Sequence, residues 1–582
     1  MSEMEFTTRP VVMGTHGMVT STHYLASEAG LQALKRGGNA VDAGATMWFC
    51  LTVLKPYMAG VAGECPILVY LADEGEVIAV NGQGPAPKAA TIDWFEGHGY
   101  PLIPEDGFLP AVVPGAFDAW LTLLDAHGTF SLGDVMEPSI RMAGEGFPVY
   151  PDLVGALSLC AERFKAEWPS SAEVYLPGGE VPQVGSILRN PDWARTFKGV
   201  AEAEKRERRW GRSAGIDAAR DRFYRGPIAE AVIGYMQSSK CRDVYGQEHH
   251  GLLALEDLAE HRARIEEPVT ADYRGYDVYK CGPWTQGPVL LQQLNLLEGF
   301  DLAEMGHNTA EYLHTWVECA KLAFADREQY YADPDFVDVP LDKLLSKGYA
   351  EERRKLVDPD RASMELRPGG VPPIKLEESE HAGRLEAGGD TVHLEAVDGM
   401  GNILSATPSG AWIRTSPIIP GLGFCMGTRA QMLHLDRGHV ERLEPGKRPS
   451  TTLTPSLVTR DGAPYMVFGT PGGDSQDQWT LQFFLNHVDF GMNVQLALDK
   501  PTVHTTHFPG SFWPQDAHPG VVHVEPLIPE EVREELRRKG HRIVVDRPWS
   551  HGRCLAIRYS PETGVMFGGA SPRTGDPYAI GW

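Results

Sequence analysis

The chain has 582 residues, 42% of them hydrophobic, enough to bury a large core and more than one ordinary domain needs. Its 78 acidic against 53 basic residues give a net charge of −25. That charge repels a phosphate backbone, and the richest basic cluster, EKRERRWGR at 204–212, is itself interrupted by Glu, so nucleic acid is excluded as a partner.

The N-terminal MSEMEFTTRPVVMG lacks a basic segment followed by an apolar core, and no run reaches the roughly 18 apolar residues of a membrane span. The expectation is a cytoplasmic protein with no membrane partner. An opening strand or two leads into ASEAGLQALKRGGNAVDAGATMWFCLTVLKP at 26–56, a helix ending at Gly37-Gly38 and then an almost wholly apolar, buried helix stopped by Pro56. CPILVYLADEGEVIAVNGQG at 65–84 reads as a hairpin turning at 73–75. Helical patterns dominate from 111 to about 360, and the charged stretch 201–222 reads as a solvated helical insertion. Residues 363–390 replace apolar periodicity with Gly, Pro and charge, as an exposed linker does. Beyond them strands take over, in TVHLEAVD and NILSATPS around the turn GMG, and in TLTPSLVTR and APYMVFGT around Asp461-Gly462.

Eight cysteines are scattered without paired spacing, so buried free thiols are expected rather than disulfides or zinc ligands. The pairs His249-His250 and His504/His507 lack a partnering carboxylate or Cys motif nearby, and no metal or organic cofactor is expected.

Thr391 opens the strand-rich third directly after Gly388-Gly389-Asp390. A threonine hydroxyl is a poor nucleophile at neutral pH unless something takes its proton. Cleavage at Asp390–Thr391 would supply the base, because a new α-amine titrates near 8 and sits on the same residue. The two glycines permit the strained geometry that an N→O acyl shift demands. Further on, Thr470-Pro471-Gly472-Gly473 joins a strand to an amphipathic helix. Amides of a Gly-Gly pair at a helix start suit an oxyanion.

The blocks GMVTSTHYLASEAGLQALKRGGNAVDA (17–43), PAVVPGAFDAW (110–120), FYRGPIAEAV (223–232), DYRGYDVY (272–279), DTVHLEAVDGMGN (390–402), RPSTTLTPSLV (448–458) and GTPGG (469–473) occur in order along nearly the whole chain. With them the sequence resembles the γ-glutamyltranspeptidase family of N-terminal-nucleophile (Ntn) hydrolases. The resemblance implies an α+β fold, an αββα four-layer sandwich made as a proenzyme. That proenzyme would cleave itself into a large subunit, 1–390 including the linker 363–390, and a small one, 391–582. It further implies that Thr391 is the nucleophile and Ser409 the hydroxyl beside it, that Gly472 and Gly473 form the oxyanion hole, and that Thr451 and Thr452 stand where the family has a Ser-Ser pair for the substrate carboxylate.

Several positions depart from the family pattern. Gln83, in Q-G-P-A-P, replaces the Arg that clamps the α-carboxylate of a γ-glutamyl group, and a neutral amide cannot make that charge-assisted bidentate contact. Ala411 replaces an Asn. The segment G-T-R-A-Q-M at 427–432 puts Arg429 and Met432 where a Gln and an ammonium-binding Asp are expected.

The machinery is present while glutamate recognition is altered. The expected function is a self-cleaving amidohydrolase or acyltransferase acting through an acyl-Thr391 intermediate on a small-molecule amide, with water or an amine as acceptor. The acyl group is γ-glutamyl or a related small unit. The alternatives are a cephalosporin-acylase-like or other small-amide hydrolase and, in another class, a catalytically silent binding protein. The family also implies a homodimer of processed heterodimers.

Overall fold

The computed structural model describes residues 6–376, 390–573 and 576–582. Two seven-stranded antiparallel sheets form its centre. One runs Tyr578–Gly581, Gly17–Ser21, Leu394–Asp398, Ile403–Ala406, Ile67–Leu71, Glu76–Asn81, Arg264–Glu266; the other runs Val12–Gly14, Val565–Ala570, Leu555–Ser560, Ala463–Gly469, Ser456–Arg460, Tyr276–Lys280, Val269–Tyr273. Met18, Leu68, Val397 and Ile403 of the first face Leu457, Val467, Ile557 and Met566 of the second in one apolar layer. Burial of strands on both faces explains why the central ones read as near-continuous apolar runs.

Helices cover the outer faces. Tyr24–Lys35 and Ala40–Leu54 pack on the first sheet, and Pro288–Leu297, Gln476–Val488 and Val494–Asp499 on the second. Asn39 and Asp42 form a capping box that starts the helix Ala40–Leu54, every residue of which is buried. The layers are α, β, β, α, the Ntn-hydrolase sandwich. The hairpin expected around 73–75 is Ile67–Leu71 paired with Glu76–Asn81. All eight cysteines are buried free thiols.

Three sequence expectations need revision or bounding. Residues 201–222 are helical as expected but only partly solvated: within them Ala203, Glu204, Ile216, Ala219 and Arg220 are buried, on the same helices, Pro191–Glu207 and Arg212–Tyr224, that bury Trp193, Phe197, Phe223 and Tyr224 to either side. The segments on either side of residue 390 share one sandwich, since each sheet combines strands from before and after it. Of the linker 363–390, residues 363–376 carry a short pairing of Glu365–Leu366 with Ile374–Lys375, while 377–389 lie outside the described residues. No helix among the described residues is long and apolar enough to cross a membrane.

Candidate active site

Thr391 leads into the central strand Leu394–Asp398 of the first sheet and is only 2% exposed. It forms an antiparallel bridge with Ser409, and Val392 N donates to Pro408 O at 3.0 Å. Ser409 is fixed from its other side by Glu64, the two exchanging main-chain hydrogen bonds at 2.9 and 3.0 Å. Gly410, between them in space, takes φ +78°, and a Cβ there would collide with the Glu64 carboxylate. Only glycine fits.

Hydroxyl and carbonyl groups converge at this point. Thr391 Oγ1 donates to Ser409 Oγ at 3.3 Å. Ser409 Oγ donates to the main-chain carbonyl of Asp390 at 2.8 Å, and Trp412 Nε1 donates to the same oxygen at 2.7 Å. The carbonyl of the Asp390–Thr391 bond therefore receives two donors. That arrangement polarises a carbonyl and stabilises charge on its oxygen. Trp412 is also held by Met58 O, at 2.9 Å.

Arg429 lies beneath. Its guanidinium donates to Glu64 Oε1, at 2.6 Å from Nε, and to Ser409 Oγ at 3.0 Å, and it lies 4.9 Å from the Trp412 ring centre and 5.3 Å from that of Phe512. Both Arg429 and Glu64 are buried, and Glu64 Oε2 has no hydrogen-bond partner. Arg429 thus spends its charge on Glu64 and its remaining reach on Ser409. Met432 stands on the same turn, its Sδ 3.4 Å from Arg429 Nη1.

The glycine loop closes the other side. Strand Ala463–Gly469 ends at Thr470, whose Oγ1 accepts from Arg553 N at 2.8 Å. Arg553 Nη1 lies 3.4 Å from both carboxylate oxygens of Asp390. Gly472 has φ +138° and Gly473 φ +54°; a Cβ at Gly472 would strike the Trp479 ring, and one at Gly473 would press on Phe512 at 3.3 Å. The helix that follows, Gln476–Val488, is buried along nearly its whole length rather than amphipathic.

The other sequence candidates separate into two places. Thr451 and Met432 line one small cavity with Gln286, Arg327, Glu441 and Ser450. Thr452, next to it, is buried and its hydroxyl has no hydrogen-bond partner. Ala411 is buried beside Trp412 at φ +52°. Gln83 lines a cavity of about 300 Å³ with Asp333 and Arg448; its Nε2 donates to Gly84 O at 3.3 Å.

Sequence reasoning missed Trp412, Glu64, Arg553 and His393. The last had a signal, since His393 and Glu395 share a strand face with Thr391. His393 Nε2 meets Glu395 Oε1 at 3.0 Å and Nδ1 meets Thr407 Oγ1 at 2.9 Å. Burial, reinforced by Lys280, lowers His393 to about 3, and burial raises Glu395 well above the carboxylate range. His504 and His507 also part company. His507 Nδ1 accepts from Gly520 N at 2.9 Å, whereas His504 meets His523 and Asp546, residues its local sequence does not show.

The family model described as gamma-glutamyltranspeptidase matches residues 26–581. The glutathione hydrolase-like YwrD proenzyme of Bacillus subtilis is 32% identical over 574 residues, covering 98% of this chain and 99% of that protein. Among solved structures, LmbA2991T421A superposes with a TM-score of 0.93 at 45% identity, covering 99% of this chain and 100% of that one. The cephalosporin acylase from Bacillus halodurans superposes with a TM-score of 0.85 at 33% identity, covering 100% and 98%.

Proposed function

Because the chain belongs to the gamma-glutamyltranspeptidase family, we propose that Thr391 is the nucleophile with which this amidohydrolase or acyltransferase first cuts its own chain and then its substrate. One observation carries the reading: the buried Thr391 hydroxyl donates to Ser409, and Ser409 together with Trp412 donates to the carbonyl of the bond to be cut. In maturation Thr391 Oγ attacks the Asp390 carbonyl carbon. Its proton passes through Ser409 to the departing amide nitrogen, and the C–N bond breaks as the C–O ester forms. Water then hydrolyses the ester, freeing the Asp390 carboxylate and the Thr391 α-amine. In each later turnover that amine takes the hydroxyl proton, Thr391 Oγ attacks the substrate amide, and the amides of Gly472 and Gly473 stabilise the oxyanion. Water or an amine resolves the acyl-enzyme.

The acyl group follows from where charge is left over. Arg429 is neutralised by Glu64, Met432 offers no carboxylate, and Gln83 is a neutral amide. Arg553 differs, because its partner Asp390 belongs to the segment that maturation releases. The acyl-enzyme formed in self-cleavage has Asp390 as its acyl residue, so Arg553 marks where an acyl carboxylate is held. We assign the enzyme an acyl group that ends in a carboxylate and needs no α-ammonium. Steady-state kinetics with glutaryl and γ-glutamyl anilides test this: kcat/KM favours the glutaryl compound, and Arg553→Gln erases the preference. Superior turnover of the γ-glutamyl compound, untouched by Arg553→Gln, contradicts it.

A further inference from the structure

Three imidazoles and a carboxylate meet on an outlying sheet of Val503–Thr505, Val521–Val524 and Arg542–Val545. His504 and His523 are opposed in antiparallel register, so both side chains stand on one face. Their rings lie parallel, centroids 4.6 Å apart with 4° between planes. The third strand runs parallel to the second, and Asp546 N donates to Val524 O at 3.0 Å, which sets the Asp546 carboxylate 3.2 Å from His523 Nδ1. One ligand-capable atom from each of His504, His523 and Asp546 lies within 4.8 Å of the other two. His551 braces the carboxylate, donating from Nε2 to Asp546 Oδ2 at 2.7 Å, with Nδ1 3.1 Å from Thr502 O.

Internal hydrogen bonding accounts for all of this except His504. Its Nδ1 is shut off from solvent and has no hydrogen-bond partner, a condition buried ring nitrogens rarely tolerate.

We propose that His504, His523 and Asp546 bind one divalent transition ion, zinc being the best match. Two imidazole nitrogens with one carboxylate oxygen suit a borderline ion, whereas calcium and magnesium call for oxygen throughout. Bonds of about 2.0 Å imply ligand separations of roughly 3.3 Å, so side-chain rotations moving the atoms by about 1 Å close the site. Asp546 and His523 remain 27% and 24% exposed, which leaves an entry path and a position for water. The site is separate from Thr391 chemistry but not isolated from it. The Trp479 ring lies 5.2 Å from that of His504 and 5.6 Å from that of His551, and its other side closes over Gly472. A bound ion would stiffen the wall behind the glycine loop.

The test uses the full-length protein stripped with a chelator and titrated with zinc alone against a chromophoric competitor. Wild type takes up one equivalent and melts at higher temperature with zinc. His504→Gln and Asp546→Asn each weaken binding by at least about 100-fold and lose the zinc-dependent rise. Zinc-edge anomalous diffraction from wild-type crystals, which needs no variant to fold, shows its peak between the three side chains. Sub-stoichiometric uptake, a peak elsewhere, or equal zinc affinity in folded His504→Gln and Asp546→Asn overturns the proposal.

Discussion

The hydroxyl of Ser409 donates to the main-chain carbonyl of Asp390 at 2.8 Å, joining residues 19 apart in sequence beside the Asp390–Thr391 bond, the proposed cleavage site. The same oxygen takes the Trp412 indole proton, so two donors share the charge that develops there. Ser409→Ala should slow self-cleavage by about 10²-fold and Trp412→Phe by 10-fold or more. The accumulation of cleaved chain after purification of precursor, followed by gel densitometry, measures both.

Glu64→Gln should unfold the protein more easily by on the order of 3 kcal/mol, because it strands the Arg429 cation in the interior. Chemical denaturation gives the difference. If Glu64→Gln is neutral, the pair is not the buried contact described.

Gly472→Ala should cut kcat about 10²-fold, since the methyl collides with the Trp479 ring and would displace the amide proposed for the oxyanion hole. Gly473→Ala should be milder: it meets only Phe512, at 3.3 Å, and its φ of +54° is reachable at a cost of about 1 kcal/mol. Single-turnover acylation rates rank the two.

Glu441 is pushed up to about 7 by burial, which the Ser450 hydroxyl opposes only in part. Its folded form holds the proton more tightly than the unfolded chain does, so its own contribution to stability is full below about pH 4.5 and is lost as pH rises to 7. Glu441→Gln should remove a decline on the order of 1–3 kcal/mol across that window. Urea midpoints at pH 5 and pH 7.5 show whether the slope disappears.

Much of this was legible along the chain. The hairpin at 67–81 follows from two apolar runs on either side of Asp73-Glu74-Gly75, and the left-handed glycines at 472–473 lie where a strand gives way to a helix. Other features were not, because they are made by distant segments. Glu64 and Arg429 are 365 residues apart, and nothing near either shows the other. His504 finds His523 through strand register and Asp546 through a parallel neighbour, neither of which a local motif encodes. The partial burial of 201–222 was not legible, because Ala203, Ile216 and Ala219 are isolated apolar residues among Arg, Lys and Glu.

The central claim is that Thr391 becomes an N-terminus and attacks from there. Intact mass spectrometry of the purified wild type and Thr391→Ala proteins, with N-terminal sequencing of every fragment and turnover of one anilide measured on the same samples, tests it most directly. The expected result is a wild-type fragment running from Thr391 to Trp582 that becomes acylated with substrate, beside an uncut and inactive Thr391→Ala chain. Full turnover by an uncut chain, or a fragment that begins anywhere else, would contradict it.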